Sequence, residues 1–336
     1  MERNNSNPTL TYDSKPTSNK DLEIGLHVLF GLIAAASFLS NLFFCVVLVT
    51  KRSLLKKPHN IVLFSLAVAD MLTGVFLVAT PGYVIPRSYY PVPSGLRGEI
   101  FCRLLANRYL LFLMGKVSLL LAACLAIERW YCVLKPMQCK NKFSRKRIVI
   151  YVILMFIVTC ILSMNKFFES SVIGNKCDSK KAPYGKHGTQ AFVLVYSLVA
   201  FYVPCFITWF TFAHITLHFP SFPGQTQEAA NKRRRQRVLL RMCAITAAAL
   251  TICGFPAQTI YLLSPFGITK IGSPIHKGFN ALLLFHSCIN PLIYWSTNKE
   301  YRKEFKKFLV CKTYHTFPQR LSFRQGIHMA TRRMES

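Results

Sequence analysis

Asn60-Ile-Val-Leu-Phe-Ser-Leu-Ala-Val-Ala-Asp70 opens one apolar stretch of the chain and carries its single acid, and Met71-Leu-Thr-Gly-Val-Phe-Leu-Val78 continues it on the far side. The segment is long enough to cross the hydrocarbon layer of a bilayer, which takes about 20 residues of helix. A charge at such depth costs roughly 2.5 to 3.5 kcal/mol on insertion scales, so it marks function more often than fold. Two expectations follow: a membrane-spanning helix here, and a buried polar site around Asp70.

Similar runs recur near residues 24–50, 60–85, 104–134, 147–168, 190–217, 237–264 and 276–297. The chain as a whole is 52% hydrophobic and 16% charged, with mean hydropathy +0.30, which places it among membrane proteins. Each run is about twice the length of a barrel strand and lacks alternation, and only helices or closed barrels satisfy the backbone in lipid. The expected fold is an all-α membrane protein: a seven-transmembrane helix bundle over 24–297, after an extracellular tail of residues 1–23. A short amphipathic cytoplasmic helix is expected over 298–311, then a cytoplasmic tail over 312–336.

Charge sets the orientation. Of 42 Lys and Arg residues, 27 fall on the side of the C-terminus, 14 on the other, and Lys116 lies inside a span. The C-terminal side is therefore expected in the cytoplasm, with a multi-pass protein in the plasma membrane. The polar first 23 residues lack the apolar core of a signal peptide, so the first span is expected to direct insertion, and Asn4 heads a candidate glycosylation sequon. The net charge of +29 would suit nucleic acid, but the cations sit in loops beside apolar spans. Membrane lipids are the expected partner, not nucleic acid. Lys232-Arg-Arg-Arg235 with Arg237 and Arg241 is the densest cluster.

Of twelve cysteines, only Cys102 and Cys177 fall in predicted outer segments, the oxidising side, and they are expected to be bridged. The other ten are expected as reduced, small apolar side chains. Cys311 ends the amphipathic stretch Glu300-Tyr-Arg-Lys-Glu-Phe-Lys-Lys-Phe-Leu-Val310, where it is a palmitoylation candidate, the alternative being an unmodified thiol on an interfacial helix.

At 1.5 Å of rise per residue, Asn41, Asp70, Ser118 and Ser287 all lie about 14 to 16 Å from the inner ends of their spans, and Asn290 about 10 Å. Alone, each polar residue would pass as an interhelical hydrogen bond. Together they surround the intramembrane acid with oxygen and amide groups, and we read Asp70, Ser118, Ser287 and Asn290 as a water-filled site for a sodium ion or a proton. No other metal or cofactor is expected.

These residues also belong to a wider pattern. Asn41, Leu66-Ala-Val-Ala-Asp70, Cys102 with Cys177, Glu128-Arg129-Trp130 followed by Pro136, Pro204, Pro256 and Asn290-Pro291-Leu292-Ile293-Tyr294 occur in this order on successive spans. The chain resembles a rhodopsin-like (class A) G-protein-coupled receptor from Asn41 through Cys311. The resemblance implies a receptor, not an enzyme, that senses an extracellular ligand and activates heterotrimeric G proteins. It implies that Glu128 and Arg129 hold the resting state at the cytoplasmic face, and that Asn290 and Tyr294 link the polar layer to that face. Pro204, Pro256 and Pro291 each remove an internal hydrogen bond, giving α-helical spans places to bend.

The departures touch the switch. Gly254 stands where the family has a Trp, Leu250 where an activation-coupling Phe is usual, and Phe212 where a Tyr is usual. Gln236 occupies the span-six position of the acid that normally locks Arg129, and span four lacks its Trp. Elevated ligand-independent signalling is expected. Cys102 also precedes Arg129 by 27 residues, about two more than the family spacing, so an inserted turn or bulge is expected in the outer half of span three.

Ligand classes narrow by absence. The stretch Asn107–Met114 contains no acid, which argues against a biogenic amine, and Ala281–His286 contains no Lys for a retinal Schiff base. Outer segments hold 14 Lys and Arg against seven acids, and Arg108 and Lys116 carry that sign into span three. An acidic peptide or a small anion is the expected ligand, with Arg108 and Lys116 as candidate anchors; otherwise Arg108 faces headgroups and Lys116 bonds internally. A receptor-like protein that no longer signals, acting as scaffold or scavenger, is the alternative. A seven-helix ion transporter is the remote one, since it would need a relay of acids that the spans lack.

Overall fold

The computed structural model describes residues 17–174, 176–179, 185–219 and 227–316. The Asn4 sequon lies outside them. Eight principal helices occur: α1 Thr17–Thr50, α2 Pro58–Ala79, α3 Tyr109–Leu134, α4 Arg145–Phe168, α5 Gly185–Leu217, α6 Gln227–Leu263, α7 Pro274–Thr297 and α8 Lys299–Thr316. α1 to α6 are each long and apolar enough to cross a membrane. α7 has the length, 24 residues, but a more polar inner face: His276, Asn280, His286, Ser287 and Asn290 are all buried. It packs on α1, α2 and α6 and completes a bundle of seven.

Burial follows what each helix meets. α4 buries only Ile148, Thr159 and Ser163 and exposes Ile150, Ile153, Phe156, Ile157 and Ile161, an apolar outer face that belongs against lipid. α3 is the central column, with fifteen buried residues. Gly74 lets α1 and α2 approach closely, since a Cβ there would stand 2.7 Å from the Ala34 carbonyl oxygen. Three apolar clusters result among the described residues, a small one around Phe201 and two larger ones. An inner one joins Phe44, Leu48, Leu63, Leu66, Met242 and Tyr294, and an outer one joins Phe30, Leu77, Tyr83, Leu111 and Leu284.

The outer roof is a hairpin, β1 Ser170–Ile173 paired antiparallel with β2 Lys176–Ser179. Cys177 of β2 is bonded to Cys102, with Cα atoms 5.3 Å apart. The irregularity expected above α3 is present. Residues Cys102–Ala106 form a π-helical turn, and Arg108 follows with φ 62°, the one positive-φ residue other than glycine among the described residues. A left-handed Arg is a strained way to absorb extra residues, and it re-aims the chain before α3 begins.

One cysteine expectation is corrected. Cys132 and Cys139, both expected to be reduced, are bonded to each other, with Cα atoms 5.0 Å apart. Pro136 starts a short helix, Pro136–Lys142, directly after α3 ends at Leu134, and the turn brings the two side chains together. Seven other described cysteines are free.

Candidate functional site

The polar layer forms around Asp70, which is fully buried. Its Oδ1 accepts from Ser118 Oγ at 2.9 Å and its Oδ2 from Asn290 Nδ2 at 2.6 Å. Ser37 Oγ donates to the Asp70 backbone carbonyl at 2.7 Å. Asn41 is one step removed: its Nδ2 donates to the carbonyls of Ser37 and Ser287, at 2.8 Å each, pinning α1 to α7. Charge-assisted bonds of this kind are about twice as strong as neutral ones, so Asp70 ties α2 to α3 and α7.

His286 enters the layer unannounced by the sequence. Its Nε2 stands 3.9 Å from Asp70 Oδ1 and 3.4 Å from Ser287 Oγ, while Nδ1 is bonded to the Leu283 carbonyl. A lone histidine on an apolar span reads as a core residue, and only the packing of α7 against α2 reveals the partner acid. A sodium ion needs several oxygens; Asp70, Ser118 and Ser287 bring theirs to this layer, while Asn290 turns its nitrogen to Oδ2 and the His286 ring stands next to Oδ1. Asn41 Oδ1, Asn290 Oδ1 and Tyr294 Oη have no protein partner, so the layer is polar enough to hold water.

Above the layer lies a cavity of about 850 Å³. Both candidate anchors line it. Arg108 sits with its guanidinium 5.4 Å from the centre of the Tyr83 ring. Lys116 Nζ donates to Ser163 Oγ at 3.2 Å and to the Tyr196 hydroxyl, and lies 4.7 Å from that ring's centre. No acid pairs with Lys116 among the described residues, whereas Lys166 on the same wall pairs with Glu169 at 2.6 Å. The internal partners expected as the alternative for Lys116 are thus present, but none neutralises it. Arg108 and Lys116 are eight residues apart, so roughly 12 Å of helix axis separates them.

The floor explains Gly254. Phe201 of α5 leans into the space above it, and a Cβ on residue 254 would stand 2.9 Å from the Phe201 ring. Phe201 packs with Leu119, Ala122, Cys205 and Leu250, so this cluster takes the volume of the missing indole. The sequence shows the missing Trp but not the residue that replaces it.

At the inner face Glu128 and Arg129 are both buried and paired side by side, with Arg129 Nε 2.5 Å from Glu128 Oε2. Gln236, in place of a locking acid, donates to the Cys132 carbonyl at 3.1 Å, a neutral tie from α6 to α3. Trp130 Nε1 reaches His214 of α5 at 3.1 Å. Tyr294 is fully buried, its ring 4.8 Å from that of Phe44. Pro204 follows a π turn at Leu198–Tyr202 in α5, and Pro256 and Pro291 lie inside α6 and α7. α8 buries Tyr301 and Phe305, and Lys57 and Lys51 of the first inner turn pair with its Glu300 and Glu304. The side chain of Cys311 lies outside the described residues.

The family described as "7 transmembrane receptor (rhodopsin family)" matches residues 40–294. The chain belongs to this family of membrane-embedded, multi-pass receptors. It is 25% identical to 5-hydroxytryptamine receptor 4 of Rattus norvegicus, over 89% of this chain and 80% of that receptor. It is 27% identical to the blue-sensitive opsin of Conger conger, over 76% and 73%, and 20% identical to galanin receptor 2a of Danio rerio, over 85% and 78%. Relatives with amine, opsin and peptide names stand at similar distances.

Proposed function

We propose that the chain is a plasma-membrane receptor that takes an anionic extracellular ligand in the outer cavity and activates a heterotrimeric G protein at its inner face. Lys116 carries this reading: a half-buried cation that pairs with no acid among the described residues and faces an open cavity invites a carboxylate. A cavity of this size accepts either an acidic peptide segment or a small anion, with Arg108 as the second anchor. The serotonin receptor relative suggests an amine, but outer α3 offers no acid, and Glu169 is engaged with Lys166.

Ligand entry moves α5, α6 and α7 about Pro204, Pro256 and Pro291, and the Asp70 layer passes the change through Asn290 and Tyr294 to Arg129. Asp70 with His286 suits a proton better than a sodium ion. The N-terminal tail is extracellular, and α8 lies on the cytoplasmic leaflet with its lysines in the headgroups. A reporter screen of acidic peptides and small carboxylates, with Lys116→Met and Arg129→Ala, tests the proposal. An agonist lost in Lys116→Met supports it; equal potency in that variant removes Lys116 as the anchor.

The second reading, a receptor-like protein that no longer signals, draws on Gly254 filled by Phe201 and on Phe212 in place of a hydroxyl. It is separated by nucleotide exchange, which it leaves at background.

A further inference from the structure

Toward their inner ends α5 and α6 pack only lightly on each other, and a groove of about 480 Å³ opens between them. Phe212, Thr216 and Phe219 form one wall, Leu240 and Ala244 the other, and Arg237 and Arg241 also line it. The two arginines are four residues apart, on one face of α6. Both are exposed and pair with no acid among the described residues. The Arg237 guanidinium lies 5.0 Å from the centre of the Phe219 ring, which holds it beside the apolar wall. On α6 the preceding acid is Glu228, nine residues or about 13 Å of axis away from Arg237.

We propose that this groove binds an anionic phospholipid, with its phosphate on Arg237 and Arg241 and one acyl chain laid against Phe212 and Leu240. The guanidinium fork matches phosphate oxygens in pairs, which favours a phosphate over a diffuse charge. A soluble phosphate satisfies the arginines but leaves the aromatic and aliphatic walls bare, and a neutral lipid does the reverse. An anionic phospholipid does both, and it arrives sideways from the bilayer. A chain wedged between α5 and α6 binds the separated arrangement of their inner ends better than a closed one, so it shifts the population toward the open state. The inference uses the proposed orientation only to say that the cytoplasmic leaflet supplies the lipid.

The test is equilibrium binding of fluorescent phosphatidylserine to the full chain in neutral detergent, with phosphatidylcholine as reference and no agonist or G protein present. The native protein prefers phosphatidylserine by about tenfold or more, the scale expected for two basic groups. Arg237→Gln with Arg241→Gln abolishes the preference, and Leu240→Trp, which fills the groove and keeps both charges, weakens binding of the lipid. Arg234→Gln with Arg235→Gln, outside the groove, leaves both unchanged. Soluble glycerophosphoserine does not compete. Equal loss in the outside pair shows diffuse attraction and overturns the proposal, as does competition by the soluble headgroup. Unchanged binding in Leu240→Trp overturns it too, with Ala244→Leu as the second reading should the Trp variant fail to fold. Because no agonist is used, this result is independent of the anionic-ligand reading.

Discussion

The outer and inner halves of the bundle solve opposite problems with the same helices. Apart from the groove between α5 and α6, the inner half is tightly filled: Asp70, Asn290, Glu128 and Arg129 are buried and bonded in pairs, and the aromatic rings of Phe44, Tyr294 and Tyr301 fill the space between α1, α7 and α8. The outer half is open, with a large cavity whose wall holds Lys116, a cation that pairs with no acid among the described residues. In the proposed reading, the inner half holds the resting arrangement and the outer half takes the ligand. The two differ in tolerance as well. The inner half keeps Asp70, Arg129, Asn290 and Tyr294 but carries Gln236 and Phe212 in place of an acid and a Tyr, while the floor between the halves is built around Gly254 and Phe201.

The comparison can be broken first at the roof. Cys102→Ser with Cys177→Ser removes the bond that holds the hairpin over the cavity, and loss of a native disulfide costs about 2 to 5 kcal/mol. A lowered melting temperature and loss of surface expression are expected; an unchanged melting curve would show that the roof stands without it. Next comes the floor. Gly254→Ala forces Phe201 aside at a cost of about 1 to 3 kcal/mol, and Phe201→Leu added to it restores part of the loss. Strict additivity in thermal melts would show that the two residues do not share the space.

Lys116→Met sharpens the contrast between site and scaffold. Removing an uncompensated cation from the bundle raises the stability of the ligand-free protein by about 1 to 2 kcal/mol. The same variant loses its response to an anionic agonist, so stability and function move in opposite directions. A fall in melting temperature would mean that the bonds to Ser163 and Tyr196 outweigh the buried charge. The smallest effect concerns the polar layer. Replacing sodium chloride with N-methylglucamine chloride leaves the melting temperature of the native protein unchanged, since His286 stands beside the carboxylate. A sodium-specific rise that disappears in Asp70→Asn would contradict that assignment.

Much of this was legible in the chain. Apolar runs located the spans because lipid demands continuous helices, and the extra residues between Cys102 and Arg129 announced the π turn and left-handed Arg108. Ends were less legible. α6 runs from Gln227, ten residues before its apolar run, because charged residues continue a helix in water as readily as apolar ones do in lipid. α7 reads as a span by length but carries its polar residues on one buried face. His286, Phe201 and the Cys132–Cys139 bond were not legible at all. Each depends on a partner on another helix or across a turn, and one sequence holds no record of which side chains meet.

In the proposed receptor the open outer cavity is coupled to the buried Arg129. The most direct measurement is nucleotide exchange by a panel of heterotrimeric G proteins on the purified chain in lipid nanodiscs, compared with Arg129→Ala and with empty discs. Exchange above the empty-disc rate is expected for at least one G protein, falling to that rate in Arg129→Ala. Exchange at background for every G protein, with acidic peptides and small carboxylates present, would contradict it.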